Sequence, residues 1–113
     1  KRIIALFEPR SNSTTTNVFQ EQLAHCFDHA HTIIFGAINR PERYAPERLL
    51  NLTLLAEQLH QKGKKVFTLT PEQAADPQWG AYCKHILEAN LQDNDIIVLL
   101  SNGNIGGLRA MII

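Results

Sequence analysis

Four runs of apolar residues, at positions 3–7, 32–35, 66–69 and 96–100, constrain the fold of this chain more than anything else in it. None of them alternates apolar with polar residues. A strand that is apolar along its whole length is covered on both faces, which is the condition inside a parallel sheet with helices above and below.

The segments between these runs carry a helical period. After the first run, Phe19, Leu23, Cys26 and Phe27 fall at i, i+4, i+7 and i+8, and Asn17 with Gln20 has the form of a capping box, which predicts a helix to about Asp28. A second helix is predicted from near Pro46, with Leu49, Leu52, Leu55, Ala56 and Leu59 on its buried stripe, Lys62 in its last turn and Gly63 at its stop. Thr70, Pro71, Glu72 and Gln73 can cap a short turn. Asp76 and Pro77 then open a third helix that buries Trp79, Tyr82 or Cys83, Ile86 and Leu87. A last helix opens around Ile105 to Leu108.

Strands alternating with helices need crossover connections, which lay the strands parallel. The predicted fold is α/β, a Rossmann-like three-layer sandwich with a mostly parallel sheet and helices on both faces. At 113 residues, 44% of them hydrophobic, the chain makes one domain, residues 1–113, with its own core. Lys1 and Arg2 lead at once into the first strand, and Ala110 to Ile113 are apolar, so the domain is expected to be excised from a longer chain.

Charge narrows the partners. Lys and Arg number 11 and Asp and Glu 11, so no broad field draws in nucleic acid or an anionic membrane. No apolar run approaches the roughly 20 residues that cross a bilayer, and no secretory leader is recognisable. Cys26 and Cys83 lie in no CxxC pair, which fits free thiols in a reducing compartment. The expected location is the cytoplasm.

A parallel sheet gathers its strand-end loops on one edge, here residues 8–16, 36–45, 70–76 and 101–107, and such edges bind ligands. Arg10, Arg40 and Arg43 bring permanent positive charge to that edge, able to grip carboxylate or phosphate with paired hydrogen bonds. Ser11, Asn12, Ser13 and Thr14 to Thr16 add polar groups ahead of a helix N-terminus. The same run also serves as a cap, and Arg40 and Arg43 have Glu42 and Glu47 near enough for surface ion pairs worth about 0–1 kcal/mol. Glu8 is the strand-end acid, able to pair Arg10.

Other chemistry is thin. Gly103, Gly106 and Gly107 match neither dinucleotide nor P-loop spacing. His25 and His29 share a helix face with His31 just beyond, but no carboxylate or thiolate completes a metal shell, so no metal site is assigned. No nucleophile elbow or Ser-His-Asp pattern is present. Residue chemistry alone leads to a Rossmann-like domain with an Arg-bearing ligand edge. That description also suits a stand-alone flavodoxin-like nucleotide or small-molecule binding module, and a purely structural or partner-binding α/β domain.

Two stretches go further. IIALFEPRSNS at 3–13 and DNDIIVLLSNGNIGG at 93–107 together resemble the C-terminal domain of Mur ligases, and within that family the members that attach a ready-made peptide to UDP-N-acetylmuramate. The resemblance implies a three-domain parent whose first domain holds the UDP-sugar, whose central ATPase domain holds ATP and Mg2+, and whose last domain brings the peptide and closes the cleft. The reaction it implies is ATP-dependent amide formation: the muramate carboxylate is phosphorylated and the L-alanine amine of a recycled L-alanyl-γ-D-glutamyl-meso-diaminopimelate peptide attacks, releasing ADP and phosphate. This belongs to peptidoglycan recycling in the bacterial cytoplasm.

No GTxGKT-type loop occurs in the chain, so the resemblance assigns it no catalytic residue, no tightly bound cofactor and, in isolation, no activity. Its implied share is positioning and charge stabilisation. Arg10 is carried over as the group that reaches substrate carboxylate or phosphate, with Ser11 and Asn12 shaping its loop. Ser101, Asn102 and Gly103 match the second motif and line the same edge. Arg40 belongs to Asn39-Arg40-Pro41, a distant echo of the family's diaminopimelate motif.

Overall fold

A computed structural model describes residues 2–9, 15–38, 41–100 and 106–108. The strands are β1 (Ile3–Phe7), β2 (Thr32–Phe35), β3 (Lys65–Phe67) and β4 (Ile96–Leu100). All pairings are parallel and the order across the sheet is β3-β2-β1-β4. The predicted Rossmann-like α/β sandwich is therefore present.

The uniform apolarity of β1 and β2 follows from two cores, whereas β3 and β4, at the sheet's edges, are not covered on both faces as expected and Ile96 and Leu100 are exposed. On one face Ala5, Phe7, Ile33 and Phe35 meet Leu23, Phe27, Leu50, Leu55 and Leu59, and on the other Ile4, Leu6 and Ile34 meet Trp79, Cys83, Leu87 and Leu108. Successive β1 residues thus alternate between two buried layers rather than between core and water. Phe7, Phe27 and Phe35 pack as a trio with centroids 5.8–6.1 Å apart, tilted or edge-on as ring quadrupoles prefer.

The helices are α1 (Gln20–Leu23), α2 (Leu52–Gln61), α3 (Pro71–Ala75) and α4 (Gly80–Asn90). The long first helix predicted from the Phe19 period is not formed. A 3-10 turn at Asn17–Phe19 runs into the short α1, and turns follow to His29, with Phe19 and Cys26 exposed. Tertiary bonds explain this. The Gln20 side chain bonds the Asn51 N–H and C=O, and the Asn17 amide donates to the Glu47 carbonyl instead of capping. The carbonyls of Ala24, Asp28 and Ala30 accept from Lys62 Nζ or Lys64 Nζ at 2.6–2.8 Å.

The second helix starts at Leu52, not near Pro46. Pro46 opens only a 3-10 turn, Leu49 bridges Thr16, and the Asn51 side chain caps by accepting from the Leu54 N–H at 2.9 Å. Lys62 and Gly63, at φ +86°, end it as expected. Thr70 and Gln73 form a reciprocal capping box on α3, so β3 stops at Phe67 and does not reach Leu69. The Asp76 carboxylate accepts from the Gln78 N–H, and the helix beyond it begins at Gly80.

At the amino edge of the sheet Arg2 grips Asp95 with two hydrogen bonds, 3.0 and 2.7 Å, and donates a third to the Asn90 carbonyl. This ties the start of β1 to the start of β4 and the end of α4. The guanidinium beside it holds the Asp95 carboxyl down at about 2, and the pair raises Arg2. Among the described residues no helix is long and apolar enough to cross a membrane.

Candidate functional site

The connections β1 to β2 to β3 step outward in one direction, and β3 to β4 returns across the sheet. Strand order therefore reverses between β1 and β4, and crevices at such reversals are where open α/β sheets bind ligands. Phe7 and Leu100 are register partners there, and the Glu8 N–H donates to the Leu100 carbonyl at 3.2 Å. The Gly36 N–H donates to the Phe7 carbonyl at 2.9 Å, which adds the exit of β2 to the same rim.

Beside the reversal lies a cleft of about 850 Å³. It is lined by Gly36, Ala37 and Ile38 after β2, by Leu69, Pro71 and Ala74 after β3, and by Glu8, Asp76 and Trp79. The lining is predominantly apolar with a few carboxylates, and the volume falls in the range of small-molecule sites. Glu8 is only 4% exposed. Its charge, added to burial as the larger cause, pushes the Cys83 thiol up to about 12. Asp76 is committed to the fold, accepting from Gln78 N–H at 2.9 Å and Tyr82 OH at 3.3 Å.

All seven residues assigned to the site from sequence, Arg10, Ser11, Asn12, Arg40, Ser101, Asn102 and Gly103, lie outside the described residues. The strands that carry six of them are adjacent, β1 before Arg10 to Asn12 and β4 before Ser101 to Gly103. Two neighbours in the polar run behave otherwise than expected. Thr15 and Thr16 are buried, and the Thr15 carbonyl accepts from Leu50 N–H, so they anchor the approach to α2 and leave the rim. With only four residues, α1 provides no strong N-terminal anion site. Arg43 is exposed, with its guanidinium carbon 5.9 Å from the Tyr44 ring centre.

His25 turns toward Lys62, its Nδ1 at 3.3 Å from Nζ, and His31 Nδ1 pairs with Thr32 Oγ1 at 2.8 Å. Among the described residues no group of three His, Cys, Asp or Glu could hold a metal.

Trp79 is buried in the second core as expected, but its place on the cleft was not read from the sequence. Trp79 is 7% exposed and forms part of the cleft wall. Gly36 and Gly106 both make room for its ring, a relation among separate segments that no local sequence pattern signals.

The chain matches no known family model, no curated protein and no solved structure. Fold and edge together define a class, a Rossmann-like α/β domain with a cleft at its carboxyl rim.

Proposed function

We propose that this chain is the C-terminal, substrate-positioning domain of a bacterial cytoplasmic Mur-type ligase of the murein peptide ligase kind. The neighbouring of β1 and β4 supports the reading most, because the strands of the two motif segments end side by side at the sheet's reversal point. In this reading Arg10 binds a carboxylate of the peptide or screens transferred phosphate charge, and Ser11 and Asn12 donate hydrogen bonds beside it. Ser101, Asn102, Gly103 and Arg40 complete the rim that receives the L-alanyl-γ-D-glutamyl-meso-diaminopimelate peptide. ATP and Mg2+ are held by a central ATPase domain, and UDP-N-acetylmuramate by the domain before it. This domain's share is to align the peptide amine with the activated carboxylate and to exclude water.

The test is a coupled assay on the longer protein containing this chain, with UDP-N-acetylmuramate, ATP, Mg2+ and the tripeptide. The reading requires one ADP released per peptide joined, and no ADP from the isolated chain. Peptide-independent ADP release, or none, contradicts it.

One observation favours a second reading, a stand-alone flavodoxin-like nucleotide or small-molecule module. The cleft of about 850 Å³ is built from this domain's own elements and is large enough to take a ligand without a second domain. Micromolar binding of a mononucleotide by the isolated chain would select this reading over the ligase.

A further inference from the structure

We infer that Trp79 is a positioning residue for the ligand edge: one rigid indole sets the separation between the segment leaving β2 and the turn that follows β4. The inference does not depend on which ligand the edge serves.

The geometry is a wedge. A Cβ added at Gly36, just after β2, would lie 2.4 Å from both Cη2 and Cζ3 of the indole. A Cβ added at Gly106 would lie 2.5 Å from Cδ2 and 2.6 Å from Cε2 of the same ring, and 2.6 Å from the Gly80 backbone nitrogen. No side chain fits in either gap, so both backbones rest directly on the aromatic ring. Gly106 adopts φ +58°, a region where a side chain would also strain the backbone. Its carbonyl accepts from the Gly80 N–H at 3.0 Å, which fixes the turn to the first residue of α4.

Three elements thereby meet on one flat group. The ring belongs to the second core, with Ile4, Leu6, Ile34 and Cys83. Packed interiors transmit displacement rather than absorb it. Both backbones touch the one ring, so a displacement of the ring at Gly36 is felt at Gly106, and the reverse. The same indole lines the cleft, so a guest seated there bears on the turn after β4 through the ring.

The experiment follows amide resonances of the 15N-labelled chain. Gly36→Ala is expected to shift Gly106, Gly107 and Leu108 as well as 35–38. In the Trp79→Phe background, whose smaller ring cannot span both gaps, the response at 106–108 to the same substitution is expected to be lost. Trp79 is the only tryptophan, so a moved emission maximum in Gly36→Ala reports displacement of this ring and no other. A ring that only fills space would lower the unfolding midpoint in Trp79→Phe yet leave 106–108 unmoved by Gly36→Ala, and that result overturns the inference. If Gly36→Ala does not fold, Trp79→Phe alone decides: amide exchange must rise on both sides, at 36–38 and 106–108, and a rise confined to one side overturns it.

Discussion

The backbone amide of Glu8 donates to the carbonyl of Leu100 at 3.2 Å, so the carboxyl ends of the first and last strands meet at one edge of the sheet. Those residues are 92 positions apart, by subtraction of their numbers, and the parallel order β3-β2-β1-β4 is what makes them neighbours. The ligand-edge account rests on that adjacency.

In the proposed full-length ligase, Arg10→Ala is expected to raise the barrier to ligation by about 3 kcal/mol, roughly a hundredfold in kcat/KM. The unfolding midpoint should stay at the wild-type value, since the residue follows the strand and is not part of the apolar run. Steady-state kinetics beside thermal melting separates the two effects.

Asp95 titrates at about 2 in the folded chain, below its ordinary 3.8, because Arg2 bonds its charged form. A lowered folded pKa stabilises above the unfolded value and is lost as pH falls through the folded one. The stability gap between wild type and Asp95→Asn is therefore expected to be full above about pH 4–5 and to close near pH 2. Urea unfolding across that range measures it.

The two faces of α2 predict opposite outcomes for similar substitutions. Leu55 is fully buried and Leu54 is 40% exposed. Leu55→Ala is expected to cost about 2–5 kcal/mol by leaving a cavity, and Leu54→Ala to fall within about 0.5 kcal/mol of wild type. Denaturant midpoints with unchanged slopes check both.

Cys83 is fully buried with its thiol pushed up to about 12, while Cys26 is exposed. Thiolate is the reacting form, so alkylation of the native chain at mildly alkaline pH is expected at Cys26 alone. Mass spectrometry should find Cys83 modified only after unfolding.

The strands β1, β2 and β4 are legible to the residue because unbroken apolar runs mark them; burial on both faces accounts for β1 and β2, whereas edge strand β4 keeps its apolar run with Ile96 and Leu100 exposed. Competition explains the misses. Val66 to Leu69 reads as a strand, yet Thr70 must leave the sheet to cap α3, and Leu69 goes with it. The period from Phe19 to Phe27 reads as one helix, yet Leu23 reaches the core from the short α1 and Phe27 from the turns after it, whose carbonyls are taken by Lys62 and Lys64, residues nearly forty positions on. Pro46 marks a helix start that Asn51 claims instead. The rim was legible as a topological consequence of parallel strands. The wedge of Trp79 between Gly36 and Gly106 was not, since no local pattern records contacts among three separate segments.

The most direct measurement is titration of the 15N-labelled chain with L-alanyl-γ-D-glutamyl-meso-diaminopimelate, following every backbone amide. The account predicts that Arg10 to Asn12 and Ser101 to Gly103 shift together along one saturation curve. No response into the millimolar range, or a response confined to the opposite edge around Asp95, would contradict it.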